Sequence, residues 1–160
     1  MSERATVSRS VEVDASPEQV FALVSDLPAM GELSPENTGG HWLGGATAPA
    51  VGVRFRGSNR NGWRRWSTVV RVVTHEPPER FAFEVDSLGM AVSRWTYVVT
   101  SRPGGCTVTE SWTDRRGRAM DVIGLAASGV GDRAGYTAQS IEHTLAALKS
   151  RAEQESAGAR

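Results

Sequence analysis

The segment RRWSTVVRVVTHEPPERFAFEVD, residues 64–86, carries the clearest structural pattern in the sequence. In its first half the side chains alternate, so that Trp66 and Val72 share one face and charged residues occupy the other. Its second half repeats the alternation, with Phe81 and Phe83 on the apolar face. A period of two indicates strands with one buried face, and the Glu-Pro-Pro-Glu stretch between them indicates a turn. We therefore expect two antiparallel strands joined by a short connection.

A similar pattern of strand-like segments extends in both directions, from Thr38 to Trp112. Short β-branched and aromatic runs are separated by Gly, Pro and Asn clusters, which is typical of an antiparallel meander. Asn61-Gly62 is a hairpin signal, and Pro103-Gly104-Gly105 indicates a further turn. The predicted strands lie near His41–Leu43, Val53–Gly57, Arg64–Thr74, Arg80–Asp86, Ala91–Thr100 and Cys106–Thr113.

The segment before the meander predicts one strand and two short helices. Alternation over Ala5–Val13 indicates the first strand of the sheet. Ser16 is a suitable N-cap with a proline directly after it, so a helix begins there. This helix should end near Asp26, because Pro28 cannot continue it. A second short helix is predicted over Ala29–Leu33.

The C-terminal part predicts one long helix. Residues 115–130 are rich in Gly and Ala and have no assignable period, whereas Asp132–Glu155 has a helical one. Because one face of the sheet must be covered, and this helix is the only long amphipathic element, we expect the sheet to pack around it. The sequence thus predicts a single α+β domain over residues 1–160, with its core at about 5–153. The apolar face of the helix consists of Ala134, Ala138, Ile141, Leu145 and Leu148.

Composition excludes several functional classes. Lys plus Arg and Asp plus Glu number 18 each, so no general charge favours nucleic acid. No apolar run approaches the roughly 18 residues that would predict membrane insertion. The polar N-terminus does not resemble a signal peptide, and the single Cys106 cannot form an internal disulfide, which favours a cytoplasmic protein. His41, His75 and His143 are scattered, so we predict neither a metal site nor a cofactor.

Several local strings resemble a known family. The order of elements is similar to the helix-grip fold of the START/SRPBCC superfamily, which includes the birch-pollen-allergen-like proteins. The resemblance covers about residues 5–153 and implies a curved antiparallel sheet of about seven strands around the long C-terminal helix. Within the superfamily, the strings are most similar to the actinobacterial polyketide cyclase/dehydrase-like branch. They are SPEQVF (16–21), SDL (25–27), WLGG (42–45), GSNR (57–60), RWST (65–68), WTY (95–97), GGCTVTE (104–110) and TLAALK (144–149).

Strand alternation assigns the side chains that face the interior. This inward set is mostly aromatic and aliphatic with a few polar members, which is the usual composition of a small-molecule site. Met120, from the unassigned segment, and Ile141, from the long helix, complete it. The predicted ligand-binding residues are Phe55, Asn59, Trp66, Thr68, Phe83, Trp95, Tyr97, Glu110, Trp112, Met120 and Ile141.

Glu110 is the most informative residue of this set. A carboxylate on an inward face is costly unless it is paired or protonated, and desolvation would raise its pKa. Such a group suits general acid–base chemistry, so Glu110 and Tyr97 are the candidate catalytic residues. Alternatively, Glu110 pairs with an arginine or a backbone amide, or lies at a wet rim. The sequence leaves both interpretations open.

Three further features have two interpretations each. Asn59 either orients a ligand or belongs to a turn. Residues 120–125 form either an apolar lid or a connection into the last helix. The five tryptophans either line a pocket or pack in the core. They are Trp42, Trp63, Trp66, Trp95 and Trp112.

The combined prediction is a protein that binds a small hydrophobic molecule in an internal cavity. The resemblance implies that this molecule is a polyketide, a lipid or a similar metabolite. The alternative is a polyketide aromatase/cyclase that uses the same cavity. A protein-interaction role of the co-chaperone type has no dedicated surface in the sequence. Whether the protein is an enzyme, and whether it is a monomer or a homodimer, remains open at this level.

Overall fold

The computed structural model describes residues 6–159, which form one antiparallel sheet and three α-helices. Its seven strands follow the order β1-β7-β6-β5-β4-β3-β2. The strands are β1 (Thr6–Val13), β2 (Asn37–Trp42), β3 (Arg54–Asn61), β4 (Arg64–Glu76), β5 (Arg80–Ser87), β6 (Met90–Arg102) and β7 (Gly105–Asp114). The helices are α1 (Pro17–Ser25), α2 (Arg118–Ser128), α3 (Arg133–Gly158) and a 3₁₀ helix, Leu27–Glu32.

The two hairpins predicted from Asn-Gly and Pro-Gly-Gly are confirmed. Gly62 joins β3 to β4 with φ 61°, and Gly104 joins β6 to β7 with φ 81°. Both positions lie in the left-handed region, which glycine adopts without a steric penalty. The turn chemistry therefore fixes the register of these strand pairs.

The start of α1 is also confirmed. The Ser16 side chain accepts a hydrogen bond from the Gln19 amide at 3.2 Å, and a proline occupies the first turn. The second short helix differs from the prediction, because it is a 3₁₀ helix that begins at Leu27 rather than at Ala29. Asp26 caps it by accepting from the Ala29 amide at 3.3 Å, so Pro28 lies inside its first turn instead of only ending α1.

Two strands have bounds that the sequence misplaced. β2 runs from Asn37 to Trp42 and contains Gly39 and Gly40, which adopt positive φ, and a register shift between Asn37 and Gly39. β3 begins after Val53 and continues to Asn61. Asn59, for which the sequence left a turn and a ligand contact open, therefore lies in a strand. The predicted start at Ala5 falls outside the described residues.

Helix α3 has 26 residues and packs against β1, β7 and α1. The predicted face is largely correct, since Ile141, Leu145 and Leu148 are buried. Two threonines, Thr137 and Thr144, are buried beside them. No helix among residues 6–159 is both long enough and apolar enough to cross a membrane.

One helix covers only part of the sheet. Seven strands spaced about 4.8 Å apart form a surface roughly 30 Å wide, whereas a helix with its side chains is about 10 Å across. Because α3 lies over β1 and β7, the inner faces of the central strands need other cover. Helix α2 contacts β4 and β6, and the 3₁₀ helix contacts β2. The fold thus leaves space between these elements and the sheet.

Gly105 provides a test of the β1–β7 pairing. A Cβ atom at this position would lie 2.1 Å from the Val13 carbonyl oxygen. We predict that Gly105→Ala lowers the free energy of unfolding by about 2 kcal/mol or more, because backbone must move to relieve the overlap. Guanidinium denaturation measures this change. Gly131→Ala is the control, since its Cβ meets nothing within 4 Å, and equal stability of the two variants would contradict the packing described here.

Candidate functional site

A cavity of about 340 Å³ occupies the space between the sheet and its covering helices. Inward-facing residues of β3 to β7 form one wall. The opposite wall comes from α2, the 3₁₀ helix and the first half of α3. The lining is mostly apolar, with a small number of polar groups at defined positions. This composition is typical of small-molecule sites.

The structure brings nearly all of the predicted site residues together. Cross-strand pairing places Trp95 opposite Trp112 and Tyr97 opposite Glu110 on the inner face. The predicted residues that line the cavity are Phe55, Asn59, Trp66, Thr68, Phe83, Trp95, Tyr97, Glu110, Trp112 and Met120. Whether they bind a ligand stays a prediction at this point.

Ile141 is the exception and requires a correction. It is fully buried in the hydrophobic core and is not among the residues that line the cavity. On α3, Ile141 belongs to the apolar stripe that packs in the core, whereas an adjacent stripe of Thr137, Ser140 and Thr144 faces the cavity. The sequence contained a signal for this second stripe, because its members are three and four residues apart.

Tyr97 and Glu110 form the buried polar group of the cavity, the Tyr97–Glu110 pair. Each residue is only 2% exposed. The Tyr97 hydroxyl donates a hydrogen bond to Glu110 Oε1 at 2.8 Å. The second carboxyl oxygen, Oε2, is buried and has no hydrogen-bond partner among residues 6–159. The partner of Glu110 is therefore a tyrosine, and not the arginine or backbone amide that the sequence left open. Glu110 also does not lie at a wet rim, because it is buried.

Burial controls the protonation of the Tyr97–Glu110 pair. Desolvation raises the pKa of Glu110 to about 8, and the hydrogen bond from Tyr97 opposes this shift only in part. The pKa of Tyr97 is raised well above its usual value, first by burial and then by the neighbouring carboxyl group. Both groups are therefore neutral near pH 7, and the pair presents a carboxylic acid to the cavity rather than a carboxylate.

Two ion pairs also contribute to the cavity wall, and no sequence pattern indicates that these residues pair. Arg133 Nη1 lies 2.9 Å and 3.1 Å from the two carboxyl oxygens of Glu36. The Arg116 guanidinium makes two hydrogen bonds to Asp114, of 2.9 Å from Nε and 2.8 Å from Nη2. Burial raises the pKa of Glu36, although Arg133 opposes the shift. Both arginines line the cavity while holding a carboxylate of their own.

Helix α2, which the sequence left unassigned, covers the cavity. Met120, Ile123 and Ala127 point into it. Hairpin β3–β4 anchors the C-terminal end of α2, because Asn61 Nδ2 donates to the Ser128 carbonyl oxygen at 2.8 Å and Arg64 donates to the Ala126 carbonyl oxygen. The segment is thus a helical cover over the cavity.

The remaining ambiguous residues are placed as follows. Asn59 donates from Nδ2 to Thr68 Oγ1 at 3.3 Å on the cavity wall. Trp42 packs against Phe55, with ring centroids 5.2 Å apart. Trp63 is 82% exposed beside the β3–β4 turn, so it contributes to neither the core nor the cavity.

The raised pKa of Glu110 predicts a specific pH dependence of stability. The unfolded chain loses this proton near pH 4.5, whereas the folded protein keeps it up to a pKa of about 8. Because the folded state binds more protons in this window, its free energy of unfolding falls as pH rises, by at most about 1.4 kcal/mol per pH unit. Glu110→Gln should lack this component in denaturant titrations. Parallel stability curves for the two proteins would contradict the shifted pKa.

Comparisons with known proteins agree with this fold. A family model described as polyketide cyclase / dehydrase and lipid transport matches residues 4–153. The solution structure of the polyketide cyclase-like protein Cgl2372 from Corynebacterium glutamicum is 30% identical, with a TM-score of 0.63. That match covers 94% of this chain and 92% of Cgl2372. No curated protein is significantly similar in sequence.

More distant structures share the fold alone. The di-domain ARO/CYC protein StfQ, from the steffimycin biosynthetic pathway, is 13% identical with a TM-score of 0.73. The match covers 96% of this chain and 51% of StfQ. Ara h 8.0201 is 9% identical with a TM-score of 0.65, over 92% of this chain and 97% of that protein. These likenesses confirm the helix-grip fold. The match to the family model over residues 4–153 and the 30% identity to Cgl2372 establish that the chain belongs to the polyketide cyclase / dehydrase and lipid transport family.

Proposed function

We propose that this protein binds a small, largely hydrophobic molecule in the cavity beneath α2. The observation that carries the proposal is the cavity itself, about 340 Å³ of space with a mostly apolar lining. This volume lies within the range of about 300–1,000 Å³ that is usual for small-molecule sites. The family description, which includes lipid transport, supports the same function.

The chemistry of the walls favours an apolar ligand. Phe55, Trp66, Phe83, Trp95 and Trp112 present rings or ring edges to the cavity. Burial of apolar ligand surface against them contributes about 25 cal/mol per Å² removed from water. The arginines of the wall hold Glu36 and Asp114, so they do not offer free charge to an anionic ligand. A polyketide or a similar neutral metabolite fits these conditions.

A polyketide aromatase/cyclase is the second candidate function. The observation that favours it is the Tyr97–Glu110 pair, since a carboxyl group with a pKa of about 8 can exchange a proton near neutral pH. The cavity would hold a poly-β-keto chain in a folded conformation, and proximity alone would supply part of the rate. The family description names this activity class as well as lipid transport.

Filling the cavity from α2 tests the binding function. Ala127 faces the cavity and the adjacent Ala126 is exposed, so Ala127→Phe and Ala126→Phe form a matched pair. With tetralin as an apolar probe in calorimetric titrations, we expect binding by the wild type and by Ala126→Phe. Affinity should fall at least about ten-fold in Ala127→Phe, because the new ring occupies the ligand's space. Failure of the wild type to bind, or equal affinity in both variants, would refute the proposal.

The two candidate functions differ in what Glu110→Gln changes. A binding protein retains its ligand in this variant and has no turnover to lose. A cyclase loses turnover of a poly-β-ketoacyl thioester by at least about a hundred-fold while it still binds the substrate, because general acid–base catalysis is removed. Product analysis by mass spectrometry measures the difference. If the wild type does not accelerate cyclisation over the spontaneous reaction, the enzymatic candidate is rejected.

A further inference from the structure

We propose that Glu110 is the specificity-determining residue of the cavity and that its neutral carboxyl group donates a hydrogen bond to a carbonyl oxygen of the ligand. The ligand class is then an apolar molecule with a ketone or a similar uncharged carbonyl group. This inference rests on the proposed binding function and names the polar group that the cavity selects.

The first step is the unequal environment of the two carboxyl oxygens. Oε1 accepts the hydrogen bond from the Tyr97 hydroxyl, whereas Oε2 is buried without a partner in the part of the chain that the structure describes. Buried polar side-chain atoms nearly always have a hydrogen-bond partner, and each exception calls for an explanation. Glu110 lines the cavity, so a ligand can supply the missing partner once the side chain turns Oε2, which is enclosed here, toward it.

The second step is the position of the proton. The Tyr97 hydroxyl remains protonated and donates to Oε1, so Oε1 acts as the acceptor of the pair. The proton of the neutral carboxyl group therefore resides on Oε2. The cavity consequently presents a hydrogen-bond donor at this point, and the complementary ligand atom is an acceptor such as a carbonyl oxygen.

The third step is the absence of a free charge near Glu110 among residues 6–159. Arg9 of β1 is its cross-strand neighbour, but this guanidinium pairs with Glu142 of α3 at 3.2 Å. On the cavity wall, Arg133 is paired with Glu36. A carboxylate of a ligand would therefore be desolvated here without a cationic partner, which disfavours anionic ligands.

The other titratable groups around Glu110 are also engaged. Arg116 holds Asp114 through a pair of hydrogen bonds. The pH dependence of ligand binding should therefore reflect Glu110 itself.

The test uses 1-tetralone and tetralin, two bicyclic probes that differ by one carbonyl oxygen. Calorimetric affinities are measured for the wild type, Glu110→Leu and Glu110→Gln. We expect Glu110→Leu to bind 1-tetralone about ten-fold more weakly than the wild type, because one hydrogen bond is lost, with no loss for tetralin. Glu110→Gln should retain 1-tetralone, because its amide oxygen can accept from Tyr97 while its N–H donates to the ligand.

A pH series adds a signature that a purely structural role of Glu110 would not produce. Above the pKa of Glu110 the carboxylate has no proton to donate and repels a carbonyl oxygen. Wild-type affinity for 1-tetralone should therefore be constant below about pH 7 and fall up to ten-fold per unit once the carboxyl group ionises. The affinity of Glu110→Gln should remain constant over the same range.

Two results separate the failure of this inference from the failure of the proposed function. If all three proteins bind both probes and Glu110→Leu loses nothing for 1-tetralone, the carbonyl assignment is wrong and the binding function stands. If the wild type binds neither probe, the proposed function fails and the inference fails with it. Retained tetralin binding by Glu110→Leu shows that this variant is folded.

Discussion

The width of the sheet relative to a single helix is the constraint on which the rest of this structure depends. Seven strands form an inner surface about three times as wide as one α-helix. Helix α3 packs over β1, β7 and α1. The central strands are covered by α1, which contacts β5 and β6, and by α2, which contacts β4 and β6, while the 3₁₀ helix contacts β2. These shorter elements cover the surface without filling the space behind them. The cavity is thus a consequence of the architecture, and its chemistry depends on the residues that face inward.

The apolar lining determines the chemistry of its few polar groups. Aromatic rings on β3 to β7 exclude water from Glu110, so burial raises the pKa of this carboxyl group to about 8. Tyr97 satisfies one carboxyl oxygen and thereby fixes the orientation of the other. The ion pairs Arg133–Glu36 and Arg116–Asp114 remove the competing charges. The residues that the sheet turns inward thus desolvate Glu110, and this desolvation determines which ligand groups the cavity favours.

Much of the fold follows from local sequence patterns, because alternation and turn residues act over short distances. The inward positions of Tyr97 and Glu110 were predictable for each strand separately, but their hydrogen bond depends on the β6–β7 register. Helix α2 was not predictable, since its Gly- and Ala-rich sequence lacks a clear period. The Arg133–Glu36 pair was not predictable, because it joins residues far apart in the chain. Ile141 was assigned to the cavity although it lies beside the cavity-facing stripe of α3. The family description alone would not have indicated Glu110 as a candidate site residue, because it names no residue.

The protonation state of Glu110 is the central claim, and a ¹³C NMR titration of its carboxyl carbon measures it directly. Glu110→Gln identifies the signal by its loss. We predict a midpoint near pH 8, in agreement with a carboxyl group that is neutral in the ligand-free protein at pH 7. A midpoint near the ordinary glutamate value of about 4.3 would contradict the account, because the cavity would then contain a carboxylate and would not donate a hydrogen bond to a carbonyl group.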